Sequence, residues 1–246
     1  KEIGDFARDD SLIATNTSSL LVNDLIDTIP NPSRFIGVHY NNPADFNPIV
    51  EIISDQLTDL SRTKEVTEWV EKSGKHPVLC SDTPCFVLNR QSLPFINEAA
   101  RCMSFASPGE IDFVAKQKVG VELGPFSVMN LVGLDVIKSA SRNLEVLGEG
   151  YASSHILQKM KDKQWTIDKV TEVNREKSTE ITKRLRGAMI FPARDILERK
   201  LCSEHDLDKI CKLALGYEKS SVEWLELLDE SIVKQLITLF LSFQSG

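Results

Sequence analysis

The side chains best suited to moving a proton lie in one stretch, FIGVHYNNPADFNPIVEII. Here His39 and Glu51 sit on two Val/Ile-rich runs separated by an Asn- and Pro-containing loop. If those runs fold back on one another as neighbouring strands, the two residues come to the same level of a sheet. An imidazole oriented by a carboxylate accepts a proton at neutral pH, because the carboxylate stabilises the imidazolium that forms. On spacing alone, a histidine near a strand end is more often one that only makes structural hydrogen bonds. A second polar cluster, Asn16, Thr17, Ser18 and Ser19 in ATNTSSL, follows a short apolar run. It either caps the next helix or forms a polar shelf at the C-terminal edge of a parallel strand, where open α/β sheets bind ligands. Asn89, in DTPCFVLNR, enters an otherwise apolar helix, as a ligand contact or as a surface or capping residue. The five cysteines, Cys80, Cys85, Cys102, Cys202 and Cys211, are scattered. They lack the paired short spacings of a structural zinc site, so they read as free thiols and no metal site is expected.

The elements that must position these residues are legible in the periodicity. Residues 12–15, 35–40, 49–54 and 77–81 are strand candidates, rich in Val and Ile and bounded by Asn, Asp, Pro or Gly. Leu21, Val22, Leu25, Ile26 and Ile29 form one helical stripe between the first two. A second helix is expected from about 58 to 73, with Thr58 and Asp59 as its start signal and Gly74 as its stop. Alternating strands and helices imply an α/β sheet for residues 1–84.

Beyond residue 85 the pattern is helical and repeats at an offset of 96 residues, SPGEIDFVAKQKVG at 107–120 matching SEHDLDKICKLALG at 203–216. Ser107 with Glu110 and Ser203 with Asp206 read as capping boxes, and each copy closes on a Gly. Ile111, Val114, Ala115 and Val119 correspond to Leu207, Ile210, Cys211 and Leu215. Phe126, Met129 and Val132 correspond to Val222, Leu225 and Leu228. After a two-residue slip, Leu93–Pro94 pairs with Phe191–Pro192. This is the signature of an internal duplication. The charged segment 155–185 between the copies reads as a solvated linker with a helical surface.

The segments ATNTSSL, GVHYNNP, NPIVEII, GKHPVLCSDTPCFVLNR, ELGPF and NLVGLDV occur in this order. Over about residues 8–140 they resemble the 3-hydroxyacyl-CoA dehydrogenase family. The second helical copy resembles the duplicated C-terminal domain of its multifunctional β-oxidation members. The resemblance implies an α/β portion followed by an all-α one: the C-terminal part of a Rossmann-like NAD-binding domain (1–84), a first helical repeat with a linker helix (85–183) and a second repeat (184–246). It implies NAD as cofactor, an acyl-CoA substrate, and oxidation of (3S)-3-hydroxyacyl-CoA to 3-oxoacyl-CoA. It further implies His39 as general base, Glu51 as its partner, Ser18 against substrate and cofactor, Asn42 by the nicotinamide ribose and Asn89 on the substrate. The chain departs from the family pattern in carrying Tyr40 and Asn41 where an aromatic pair is usual, and Cys85 where a Gly is usual. The second copy carries Gly187 where the first carries Asn89, so only the first is expected to be active.

The net charge of −7 argues against a nucleic-acid or anionic-membrane surface. KEIGDFARDD holds no apolar leader, and the run near 237–243 is too short to span a bilayer. These features predict a cytoplasmic chain without a membrane partner. No Gly-rich GxGxxG turn is present, and Gly148–Gly150 supplies only a GEG turn. The sequence is therefore expected to begin late in the Rossmann domain, to be inactive alone, and to belong to a homodimer or a larger fused β-oxidation enzyme. The alternative expectation is a non-catalytic dimerisation or interaction module.

Overall fold

A computed structural model of the chain describes residues 3, 6–18, 20–26, 29–54, 56–161 and 164–244. Four short strands, β1 (Ile13–Thr15), β2 (Phe35–Tyr40), β3 (Ile49–Ile53) and β4 (His76–Cys80), pair in sequence order. β1 runs parallel to β2, β2 antiparallel to β3, and β3 parallel to β4. The central strands are apolar on both faces because both are covered. Ile36, Val38, Val50 and Ile52 pack on Val66 and Val70 of helix α2 (Leu60–Lys72), while Phe35, Ile49, Ile53 and Val78 join the core shared with the helical part. The two-residue period of a strand places His39 and Glu51 on that second face.

Of the helix expected along 21–29, the described residues show Val22–Ile26 (α1), with Leu21 and Ile29 outside it. The Asp82 carboxylate fixes its start by accepting from the N–H groups of Val22 and Asn23, at 3.0 and 2.8 Å. Helix α2 begins at Leu60 rather than 58: Asp59 caps it through Ser61 N–H, and the Thr58 hydroxyl donates instead to the Phe35 carbonyl. Gly74, at φ +80°, ends it.

The helical part repeats a four-helix unit. Helix α3 (Leu88–Cys102), α4 (Pro108–Val114) with a π-helical continuation (Ala115–Val119), α5 (Pro125–Val132) and α6 (Leu134–Leu144) form the first copy. A short helix α7 (His155–Lys159) follows. The second copy is α8 (Arg175–Glu198), α9 (Glu204–Lys209) with its own π-helical continuation (Ile210–Ala214), α10 (Ser221–Leu227) and α11 (Glu230–Ser242). The boundary expected between 183 and 184 falls inside α8. Pro94 and Pro192 lie inside the corresponding helices α3 and α8.

The capping box at Ser107 and Glu110 forms in both directions. At Ser203 only the half in which its hydroxyl accepts from Asp206 N–H is seen, and Asp is one methylene shorter than the Glu that would reach back. The two copies meet across an approximate two-fold. Val121 and Tyr217 form an isolated antiparallel bridge, flanked by Glu122 N–H to the Gly216 carbonyl and Glu218 N–H to the Gly120 carbonyl, both 2.8 Å. Gly120 and Gly216 are both left-handed, and a Cβ on either would press on Glu218 or Glu122 of the other copy.

The segment between the copies keeps most of its charged side chains in solvent, as expected, and is anchored to the first copy at a few points. Trp165 is buried against Phe126 with ring centroids 5.1 Å apart. Its backbone N–H and carbonyl both bond the Asn130 amide, at 2.7 and 2.9 Å. Ser154 N–H donates to Asn97 Oδ1 at 2.7 Å. Among the described residues, no helix is long and apolar enough to cross a membrane.

Candidate active site

The antiparallel pairing of β2 and β3 puts His39 directly opposite Glu51. Side chains of such a pair leave the same face about 5 Å apart, and His39 Nδ1 lies 2.7 Å from Glu51 Oε2. His39 is 4% exposed and Glu51 is fully buried. A buried carboxylate is tolerated only when its oxygens are occupied, and here they are. Oε2 takes His39 and, at 3.4 Å, the Asn41 amide. Oε1 accepts the backbone N–H groups of Val87 and Leu88, at 2.9 and 2.8 Å, where the positive end of helix α3 adds to the attraction.

The turn that aims those amides holds two consecutive non-glycine residues in the left-handed region, Cys85 at φ 59° and Phe86 at φ 54°. The backbone shape expected at the usual Gly is thus kept by a residue that adopts it at a cost. The Phe86 ring packs 5.3 Å from the His39 ring. The Cys80 thiol lies 3.7 Å from Glu51 Oε1; burial first, then the Glu51 charge, pushes it well above the usual thiol range, so it approaches as a protonated donor. The same two causes push Cys85 up to about 11.

With Glu51 on Nδ1, the His39 tautomer that satisfies the pair carries its proton there and leaves Nε2 for the space that His39 lines. That space is a cavity of about 850 Å³. Asn16, Ser18, Asn42 and Asn89, from the strand ends and the start of α3, share its lining with His39. Asn16 Oδ1 accepts from Tyr40 N–H at 2.9 Å, which ties the ends of β1 and β2 together. Thr17 uses its hydroxyl locally, accepting from Leu20 N–H, and Ser19 lies outside the described residues. Helices α3, α5 and α6 supply the remaining wall together with residues 213–217 of the second copy.

The five site residues read from the sequence therefore come together. Sequence reasoning did not find the two backbone donors from Val87 and Leu88, the Asp82 cap under the Ser18 turn, the Asn41 contact with Glu51, or the wall from the second copy. Only Asn41 had a visible signal, as an amide where an aromatic is usual. At the position of Asn89, the second copy's Gly187 lies where a Cβ would come 2.5 Å from the Leu236 carbonyl oxygen, so α11 crosses α8 where a pocket would open.

A short mixed sheet is followed by a duplicated helical unit, with a buried His–Glu pair at their junction. The family model for the 3-hydroxyacyl-CoA dehydrogenase NAD binding domain matches residues 1–83, and that for the 3-hydroxyacyl-CoA dehydrogenase C-terminal domain matches residues 86–172. The chain belongs to the 3-hydroxyacyl-CoA dehydrogenase family.

A probable 3-hydroxybutyryl-CoA dehydrogenase of Deinococcus radiodurans is 35% identical over 167 residues, 65% of this chain and 59% of that protein. The fatty acid oxidation complex subunit alpha of Pseudomonas putida is 30% identical over 179 residues, 71% of this chain and 23% of that one. The crystal structure of 3-hydroxybutyryl-CoA dehydrogenase from Escherichia coli shares the fold with a TM-score of 0.84 at 19% identity, over 100% of this chain and 74% of that one. The chain spans about half the length of most of the curated relatives it matches.

Proposed function

We propose that the complete protein oxidises (3S)-3-hydroxyacyl-CoA to 3-oxoacyl-CoA with NAD in fatty acid β-oxidation, and that His39 is its general base. The observation that carries this reading is the buried His39–Glu51 contact of 2.7 Å beside a cavity that Ser18, Asn42 and Asn89 also line. In this reading His39 Nε2 takes the proton of the substrate hydroxyl as carbon 3 becomes a carbonyl. Glu51 then balances the imidazolium, and its own position is fixed by the α3 amides. Ser18 and Asn89 hold the substrate oxygens by hydrogen bonds.

The donors and acceptors of Asn16, Ser18 and Asn42, gathered at the carboxyl ends of parallel strands, fit the amide and ribose of a nicotinamide. Bound NAD supplies the acceptor for the hydride that leaves carbon 3. The same reading divides the chain near residue 84 into a Rossmann-like portion and two helical repeats, the second opening with α8. It makes the complete protein a cytoplasmic homodimer or a part of a larger fused β-oxidation enzyme, and the kinship with a fatty acid oxidation complex subunit supports the latter.

The test is NADH oxidation by the full-length protein with acetoacetyl-CoA. The wild type is expected to be active and His39→Gln to lose about 10²–10⁴-fold in kcat. An inactive wild type, or a His39→Gln variant with normal turnover, defeats the reading.

A further inference from the structure

We infer that the second helical repeat supplies part of the wall of the acyl channel through Leu213 and Leu215 and so favours long acyl chains. The inference rests on the function proposed above. Its starting point is the asymmetry between the copies. In the first, α3 and α6 touch where the Asn97 amide donates to Ser141 Oγ at 3.0 Å, yet both line the cavity. In the second, α11 closes on α8 at Gly187 and buries Phe240 completely, so the equivalent space is filled. Yet the end of the second π-helical segment and the turn after it, residues 213–217, reach across the two-fold and line the cavity of the first copy. The Val121–Tyr217 bridge holds it there, and Tyr217 packs against Phe95 of α3 with centroids 6.0 Å apart.

The chemistry of this limb selects its occupant. Val128, Leu131, Val132 and Val136 of the first copy face the same space as Leu213 and Leu215 of the second. The carboxylates among the described lining are Glu122 and Asp135, and the lining holds no Lys or Arg. Two acids with no Lys or Arg disfavour the phosphates of the carrier and leave the limb to an apolar chain. Leu131 and Leu213 are 59% and 45% exposed. The limb therefore opens to solvent, and a chain longer than the channel can run along these leucines. Each methylene buried there is worth about fourfold in affinity.

The test uses the full-length protein with 3-oxoacyl-CoA substrates of four and ten carbons, comparing the wild type with Leu213→Asp and Leu215→Ala. Melting temperatures are taken alongside to show that both variants fold. The ratio of kcat/KM for ten carbons over four is expected to fall about tenfold in Leu213→Asp and severalfold in Leu215→Ala. A ratio within twofold of wild type overturns the inference. An equal loss at both chain lengths also overturns it, because it would put the carrier, shared by both substrates, in this limb. Calorimetric binding of decanoyl-CoA and butyryl-CoA gives a readout without turnover: decanoyl-CoA should bind more tightly, and Leu213→Asp should erase the difference. If the wild type turned over neither substrate, the proposed function would fail. The binding arm would still decide whether the second repeat touches an acyl chain.

Discussion

The Glu51 carboxylate, on β3, accepts the backbone N–H of Leu88, the first residue of α3, at 2.8 Å, while its other oxygen holds His39. One side chain therefore joins the sheet, the helical domain and the imidazole, and its charge and its hydrogen bonds can be separated by substitution. Glu51→Gln keeps an oxygen for Val87 and Leu88 but turns an N–H₂ toward His39, which then binds as an Nδ1 acceptor and presents Nε2–H instead of a lone pair. Turnover by the complete protein should fall by roughly 10²–10⁴-fold with a small loss of stability. Glu51→Ala also leaves two buried amides without acceptors, at about 1–3 kcal/mol each. Urea unfolding should separate the two variants by more than about 2 kcal/mol, and equal stabilities would contradict the double anchoring.

Gly187 tests the account of the filled second pocket. A Cβ there would lie 2.5 Å from the Leu236 carbonyl oxygen and 2.8 Å from Phe240 Cβ, neither of which can move without shifting α11. Ala gains about 1 kcal/mol of helix propensity over Gly, and overpacking costs about 1–3 kcal/mol. The rigid neighbours put this site at the upper end. Gly187→Ala should lose about 1–2 kcal/mol net, and Gly187→Asn, the side chain of the first copy, more. Thermal melts should show the order Gly, Ala, Asn, and an unchanged Tm for Asn would refute close packing here.

These two sites also mark how far the sequence could be read. His39 and Glu51 were legible because a strand has a period of two and the loop between them is short, so their meeting followed from register. The duplication was legible because caps, core positions and closing glycines kept one offset. What the sequence did not reveal depends on contacts between elements far apart in the chain. The amides of Val87 and Leu88 carry no side-chain signal, and Asp82 caps a helix 60 residues upstream. Residues 213–217 line the cavity only because the two copies pair across Val121 and Tyr217. The segment 155–185 was legible as a solvated stretch because its charges dominate the composition, while its anchors, Trp165 and Leu157, were not foreseen.

Cys85, where the family resemblance led us to expect a Gly, takes φ 59°. A left-handed non-glycine residue costs about 1–2 kcal/mol, and the buried thiol recovers part of this by packing near the Ala140 carbonyl of α6. Cys85→Gly relieves the backbone and loses the thiol, so its stability should stay within about 1 kcal/mol of wild type. Cys85→Val adds a β-branched side chain in the least tolerant backbone region and should lose more than about 2 kcal/mol. Equal stabilities in urea would show that the turn is not held in this conformation.

Asp195 links the copies. Its carboxylate accepts from Arg90 Nε at 2.9 Å, Tyr151 Oη at 2.6 Å and Arg199 Nε at 2.7 Å, and Arg90 is 2% exposed. Burial pulls its pKa up, but the hydrogen bonds from Tyr151, Arg199 and Arg90 outweigh this and hold it below the usual carboxylate range. A carboxyl whose folded pKa is depressed contributes stability above its unfolded pKa, near 4, and loses it as pH falls through the folded value. Asp195→Asn leaves the Arg90 charge buried without its counter-ion. Because the amide oxygen still accepts a hydrogen bond, the loss at pH 7 should be roughly 2–3 kcal/mol, at or just below the usual cost of breaking a buried pair. Below about pH 4 the wild type surrenders the same contribution, so the gap between the two proteins in urea unfolding should narrow steadily from pH 5 to pH 3. A gap that stays constant across this range would mean that the stability at this junction comes from packing rather than from the charge.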